Sequence, residues 1–596
     1  MIISRKSLCT LLCLGLIGGG LEPLRAVSWQ RVAGTIGIAP GVPGHPNARH
    51  FILQPPTLNN SGQVAFHSFL DATTVGGATD SVWAGAASDP HLVVRKGDPA
   101  PGTSQDFGSL DLDPLLNNAG QLLINARVSG GNFDQANGLW LGSEGNLQLL
   151  ARTNTPISGS AQMIRDINRS SVVLSDNGKA AFLGTATNNK TAMWYGSPGN
   201  LVIAAMEGNP VPSDSGLPAN VSFEVFLYPA PVINSTGKIA FEATVSNGGT
   251  IYGRSIWTGT PGNLQLLVRE ETAAPGVPGE DFYLLNAEPV INNAGTVAFG
   301  AQLSNFNDSI WMGTPGNLTM ILQGDDPAPV GTAGVRFADF GTYKELRLSD
   351  SGHVAFESWL EGTGVNSTNN YGLFRATIDG NDMVTRLGRQ APGMPAGAVF
   401  QNFDTYSINP TGQLAFIGSV NGGGVSLGEG LGIWAQNQED ELELVVRVGD
   451  WVHPMTGSVI RGADVTNTEL IESQGYDEVF QLQFRSAFTL NSEYGTAWNS
   501  EHQIAFEVIF ANQQNGSAIF LADLGGVDGD FDGDGDVDGR DFLVWQRSDK
   551  SPAGLAVWQE NYGAGNLTAL AAVPEPTALA FVMACGLAAM AIRKRT

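Results

Sequence analysis

Short apolar runs alternate with breaks rich in Gly, Asn, Asp and Pro along nearly the whole chain, a pattern of short strands joined by tight turns. The runs recur in fixed order. An apolar stretch leads through Asn-x-x-Gly to apolar-Ala-Phe, then to Ile-Trp-x-Gly, then to an apolar run closing on a segment such as "GDPAPG" (97–102). The turn glycines are Gly62, Gly120, Gly178, Gly237, Gly295, Gly352 and Gly412, at intervals of 58, 58, 59, 58, 57 and 60. In the eighth copy His502 stands at that place before "QIAF", after an interval of 90 that marks an insertion. Self-similarity at this period indicates a solenoid, a propeller or an array.

The fifth copy shows the unit most clearly. Leu284 to Asn292 reads as strand a and "NAG" as the turn at Gly295. "TVAFGAQL" is strand b, "SIWMG" strand c and "LTMILQ" strand d. Pro315 and Gly316 hold the central positions of a tight c–d turn. Four short antiparallel strands per unit make a propeller blade. An additional strand d, Trp29 to Gly44, precedes the first copy and aligns with Leu266 to Gly279, whereas the eighth copy has none after Ile519-Phe520-Leu521. A closed ring resolves both and removes unpaired edges. The expectation is an all-β propeller of eight four-stranded blades, with seven as the alternative, over residues 27–525 and closed by the N-terminal strand. The insertion 451–500 contains "EVFQLQFRSAFTL", expected as an extra hairpin capping the channel.

Composition supports many short strands: 76 glycines and 15% charged residues, against roughly 25% charged in ordinary domains. The net charge of -26 repels phosphate backbones, so no nucleic-acid partner is expected. Cys9 and Cys13 lie near the start and Cys585 near the end, which excludes disulfides and thiolate chemistry from the body. Arg5 and Lys6 precede an apolar stretch, Leu8 to Ile17, and then "GGGLEPLRA"; residues 1–26 read as a signal peptide.

At the other end, after a linker at 566–572, Val573, Pro574, Glu575 and Pro576 precede an apolar segment at 577–592 and the basic Arg593, Lys594 and Arg595. This tripartite end, 573–596, resembles the PEP-CTERM sorting signal of Gram-negative bacteria. The resemblance implies a transmembrane helix in the inner membrane during sorting, processing by an exosortase-type enzyme, and delivery to the cell surface or extracellular matrix.

Between propeller and tail, "DGDFDGDGDVDGRDF" places Asp530, Asp532, Asp534, Asp536, Asp538 and Asp541 at loop positions 1, 3, 5, 7, 9 and 12, with Gly535 at the sharp turn. Such a set meets the oxygen preference of Ca²⁺. Asp rather than Glu at position 12 resembles the dockerin type I repeat, which implies a small α-helical calcium module over 526–565. A second helix, "GLAVWQENYG", lacks its own loop, which puts cohesin binding in doubt.

Within the repeats, the a–b and c–d turns share one face, and the variable b–c and d–a loops share the other, where binding residues usually sit. The strand c aromatics, from Trp83 to Phe520, read as packing between blades rather than as a sugar-stacking row. No His-x-x-x-His pair, nucleophile elbow or phosphate loop occurs. Glu242, Glu357 and Glu507 follow the strand b Phe and are the candidate acid/base set for glycoside chemistry. Other copies carry His67, Asn125, Leu183, Gly300 and Ile417 there, which argues against catalysis. Asp98, Asp325 and Asp450 of the "GDP" segments read as turn formers. The expected function is that of an exported, surface-anchored, non-catalytic protein binding extracellular polysaccharide, matrix or a surface protein. The alternative is a propeller hydrolase or lyase acting on polysaccharide.

Overall fold

Each apolar run becomes a strand, and each strand finds its hydrogen-bonding partners inside its own repeat. A computed structural model of the chain describes residues 28–77, 79–111, 114–130, 137–155, 162–227, 231–340, 345–426, 429–455, 459–460, 477–483, 498–512, 516–524, 537, 539–548, 555, 558–559 and 561–562. Eight antiparallel sheets follow one another along Val27–Gly526, which is one compact unit. In blade 5 the strands are Phe282–Ile291 (a), Val297–Leu303 (b), Asp308–Thr314 (c) and Asn317–Gln323 (d), paired in that order. Strand a is innermost, since its second half lies against that of the next blade around the ring. The protein is thus an eight-bladed β-propeller, and the seven-bladed count is set aside.

Closure occurs where the sequence placed it. Ser28–Gly34 pairs antiparallel with strand c of blade 8, Ser517–Asp523, from Ser28↔Asp523 to Gly34↔Ala518. A bulge interrupts this register opposite Ile519/Phe520, as one does before Trp83 and Trp194, so the N-terminal segment takes the geometry of an ordinary strand d. Trp29 packs its ring 5.0 Å from Phe506 and 5.4 Å from Phe520.

A second seal runs along the a–b turns. Asn59 Nδ2 donates to the carbonyl of Asn117 at 3.0 Å, and Asn117 Nδ2 to that of Ser175 at 2.9 Å. Asn234 repeats the bond to Asn292 at 3.0 Å, and Asn499 of blade 8 returns to Asn59 of blade 1 at 3.0 Å. These amides and carbonyls are buried, and leaving one unpaired costs about 1–3 kcal/mol. The same asparagines accept from their own turn, as Asn59 Oδ1 does from Gln63 N–H at 2.9 Å. The turn needs a left-handed residue: Gly62 has φ 70° and Gly295 φ 79°, and His502 is held at φ 58° in their place.

Between blades lie eight apolar clusters. Trp83, Trp140, Trp194, Trp257, Trp311 and Trp434 are fully buried in them, so these aromatics are core. Ser81, Ser255 and Ser309 satisfy the indole N–H of the tryptophan two residues on, at 2.8–2.9 Å. The glycine two places after Trp257 has an equally local cause: a Cβ on Gly259 would fall 2.2 Å from the carbonyl of Asn263 across the c–d turn.

Blade 8 differs from expectation. The first part of "EVFQLQFRSAFTL" (478–490), expected as an extra hairpin over the channel, belongs to Asp477–Gln483, which is strand a of the blade itself and pairs with Gln503–Phe510; residues 484–490 lie outside the described residues. A small ribbon instead forms earlier, Trp451–Val452 with Val459–Ile460, beside the start of that strand. The lone apolar run looked additional only because the insertion had displaced it from its repeat.

Beyond the propeller, the helix Gly539–Ser548 begins the second described region, with Asp541 and Val537 fully buried. Phe542 lies 4.9 Å from Trp558, which meets Tyr562 at 5.0 Å, so these three rings pack the helix against Trp558 and Tyr562. Among the described residues no helix is long and apolar enough to cross a membrane. The expected signal peptide at 1–26, linker at 566–572 and sorting signal at 573–596 lie outside the described residues.

If Ser28–Gly34 is the missing outer strand, Trp29→Ala lowers stability by about 2 kcal/mol, the usual loss for a partly buried large side chain. A chain lacking residues 28–34 exposes an unpaired edge at Ser517–Asp523 and self-associates. Urea denaturation and light scattering measure these; unchanged values for both chains refute closure by this strand.

Candidate functional site: the inner bulge ring

In every blade the first half of strand a carries a β-bulge at one register position. The shifts fall at His50/Ile52, Phe107/Ser109, Ile164/Asp166, Phe223/Val225, Phe282/Leu284, Phe337/Asp339, Phe400/Asn402 and Val479/Gln481. The first residue of each pair is buried, and the next two turn outward or to half exposure wherever their burial is described. A bulge re-aims side chains in this way and favours the surroundings of functional sites. The outward residues differ in every blade: Phe51 and Ile52, Gly108 and Ser109, Arg165 and Asp166, Glu224 and Val225, Tyr283 and Leu284, Ala338 and Asp339, Gln401 and Asn402. They sit at the end of the innermost strand that receives the variable d–a loops.

The repeated "GDP" segment explains why the bulge is tolerated. In blade 2 the Gly97 N–H donates to the carbonyl of Phe107 at 2.8 Å, and the Phe107 N–H to that of Asp98 at 2.9 Å. Blades 4 to 8 repeat the clasp on Phe223, Phe282, Phe337, Phe400 and Val479. Backbone groups that strand b does not reach are thereby paired. Asp98 and Asp450 are turn formers as expected, each accepting from the amide three residues earlier. In the sixth blade's clasp the role falls to Asp326, not Asp325, which has φ 70°.

Glu242, Glu357 and Glu507 occupy equivalent places on strand b of blades 4, 6 and 8, each facing the seam to the next blade. The structure does not bring the three together; each has its own partners. Glu242 lies 3.4 Å from Arg254, with Glu270 and Glu288 nearby. Burial pushes its carboxyl up to about 7 against the pull of Arg254, and the two other glutamates add to the rise. Burial also raises Glu507 to about 7, opposed by a hydrogen bond from Ser517. Glu357 accepts from Tyr371 Oη at 2.7 Å. The seam between blades 6 and 7 also holds Tyr406, whose hydroxyl donates to the carbonyl of Glu345, and Arg347, which pairs with the Glu345 carboxylate and lies 5.7 Å over the Tyr406 ring. Arg347 and Tyr406 are buried, so this half of the cluster is a rivet between blades rather than a surface.

In blade 1 the same strand b position carries His67, fully buried, whose ring nitrogens make no hydrogen bond; Asp80 lies 3.9 Å away. Burial lowers His67 to about 4. His50, at the bulge, is lowered to about 3 by burial and by Arg31. Sequence reasoning identified the strand b position but missed the bulge ring. A recurring pair of residues after the buried strand a aromatic was the available signal, and its variability hid it. Of the six expected calcium ligands only Asp541 is described, fully buried in the first turn of its helix. Asp530, Asp532, Asp534, Asp536 and Asp538 lie outside the described residues.

A family model described as "Family of unknown function (DUF7453)" matches residues 58–524. No curated protein matches the chain. Among solved structures, it is similar to the β-propeller domain of the Trilobed protease from Pyrococcus furiosus, at 8% identity over 67% of this chain and 98% of that one, TM-score 0.33. It is also similar to the polysaccharide lyase Uly1, at 11% identity over 67% and 97%, TM-score 0.31. The six-bladed fucose-recognising lectin of Aleuria aurantia matches at 9% identity over 58% and 93%, TM-score 0.21.

The buried carboxyls and histidines set opposing pH slopes. Glu242 and Glu507, raised from 4.5 to about 7, contribute stability present below pH 4.5 and lost as pH rises to about 7. His67 and His50, lowered from 6.5, contribute stability present above pH 6.5 and lost as pH falls toward 4 and 3. Each Glu is worth on the order of 3 kcal/mol across its range. The Glu242→Gln/Glu507→Gln double variant should therefore lose the opposing slope and become steeply less stable on acidification from pH 6.5 to 4.5, by urea midpoints. A profile parallel to wild type contradicts the assigned burial effect.

Proposed function

We propose that this chain, which belongs to the DUF7453 family, is an exported, surface-displayed and non-catalytic propeller that holds an extracellular polysaccharide or a surface protein over its inner bulge ring. One observation carries the reading: at a single register position in every blade the backbone turns side chains out, and those side chains differ from blade to blade. A uniform scaffold presenting a non-uniform inner rim is a recognition surface. The -26 net charge directs it away from nucleic acid.

The remaining parts of the proposal are positional. The PEP-CTERM-like tail, Val573 to Pro576 with Arg593, Lys594 and Arg595, would pass the chain through the inner membrane to an exosortase-type enzyme. The aspartate loop would bind Ca²⁺ and stiffen the stalk. A buried Asp541 in the first turn of the helix suits a carboxylate ligand whose negative charge a cation offsets.

A second reading, hydrolase or lyase, is favoured by the seam where the Glu345 and Glu357 carboxyls both act on Tyr406 and Glu357 accepts from Tyr371. Glu357→Gln separates the two readings. In the binding reading no reducing ends or unsaturated sugars form from any polysaccharide, with or without this substitution. Turnover by the full chain, abolished in Glu357→Gln, establishes the enzyme instead.

Glycan arrays and pull-downs with the full chain should yield a saturable ligand; none at any calcium concentration counts against the binding role. Asp541→Ala should lower helix content and abolish the rise in thermal stability on adding millimolar Ca²⁺. Insensitivity of the unaltered chain to Ca²⁺ and to chelator removes the metal from the proposal.

A further inference from the structure

We infer that two neighbouring aromatic pairs, Tyr283 with Phe306 on blade 5 and Trp359 with Tyr371 on blade 6, are consecutive stacking platforms for the pyranose rings of an uncharged polysaccharide. This rests on the binding role proposed above and narrows its ligand.

The aromatic residues that repeat in every blade are buried; these are not. Tyr283 is 56% exposed, Phe306 67% and Trp359 43%. Burying such rings in the seams would be the hydrophobic default, so exposed rings gathered on one face mark an interaction site. Register puts both pairs at the same height in adjoining blades. Tyr283 is the bulge residue between Phe282↔Leu303 and Leu284↔Gln302, and Trp359 pairs with Asp339, the residue that follows the bulge residue Ala338 of blade 6. Phe306 and Tyr283 meet edge to face, with centroids 5.4 Å apart at 71°, which leaves ring faces uncovered. Trp359 and Tyr371 lie 4.8 Å apart at 53°. Phe306 has φ 68°, a conformation costly for a bulky residue, and its ring is not repaid by burial.

The polar surroundings choose among glycans. The loop that leads into Tyr283 lines an open cleft of about 460 Å³ with Ala273, Ala274 and Gly276 to Asp281. Glu280 on its wall accepts from Ser304 Oγ at 2.5 Å. Beside Trp359, Tyr371 is already bonded to Glu357, and the nearby cation, Arg336, is shared by Glu361 at 2.7 Å and Asp325 at 3.1 Å. The available groups are therefore acceptors and carboxylates. They suit donating sugar hydroxyls, while the overall negative charge repels uronate or sulfate.

Affinity electrophoresis of the full chain in galactomannan and xyloglucan (neutral), and in alginate and polygalacturonate (anionic), tests this. Retardation by a neutral polymer is expected, weakened about tenfold by Tyr283→Ala or Trp359→Ala and further by both, as loss of one ring stack predicts. Val202→Ser, exposed on an outer strand, should bind as the unaltered chain does. Because both ring sites are exposed, thermal stability should be unchanged. Trp359 fluorescence should also lose accessibility to acrylamide when a neutral glycan is added. Neutral-glycan binding that survives in the double variant, or binding of anionic polymers alone, overturns this inference and leaves the polysaccharide role standing. No retardation by either class defeats both this inference and the polysaccharide role.

Discussion

The whole architecture depends on a strand from one end of the chain completing a sheet made by the other. Until Ser28–Gly34 pairs with Ser517–Asp523, blade 8 has an open outer edge and lacks its fourth strand. The asparagine belt acts on the same seam from the inside, with Asn499 reaching the carbonyl of Asn59. Hydrophobic packing alone would let adjacent blades slide, because the clusters between them are apolar and non-directional. The two sets of hydrogen bonds, at the outer strand and at the inner turns, fix the blade count and the angle between blades.

Once the ring is fixed, invariance and variation separate. Positions whose side chains enter the seams repeat, since each seam presents nearly the same volume: Trp311 in one blade does what Trp83 does in another. The strand b position after Phe is freer, accepting Leu183, Gly300 and Ile417 as readily as His67 or Glu242. Where it is ionisable, burial rather than catalysis shapes its titration. The opposing shifts of Glu and His leave the seams close to electrically neutral over a broad pH range. At the bulge and in the loops the side chains leave the seam, and there variation is free of the packing that fixes the rest.

The bulge ring links backbone to function through an edge problem. An innermost strand has one unpaired edge, and the "GDP" clasp covers half of it by bonding both backbone groups of Phe107, Phe223, Phe282, Phe337, Phe400 and Val479. Those residues are pinned inward, and the next two turn away from the seam. The segment most regular in the sequence therefore positions the residues that are least so.

The amino-acid order by itself determined the repeat, the strands a to d, the buried role of the tryptophans and the outer strand borrowed from the N-terminus, because each follows from period, apolar pattern and turn residues along one stretch of chain. It misplaced Asp477–Gln483, since an insertion of unrelated sequence broke the period that identified every other strand a. It also grouped Glu242, Glu357 and Glu507, which share a register position yet face three different seams. What tertiary structure alone decided was proximity: which blade faces which, that Tyr406 of one blade sits against Arg347 of another, and that Tyr283 and Trp359 stand at one height in adjoining blades. Those relations depend on where distant stretches of chain meet once the ring is closed, which no single stretch of sequence records.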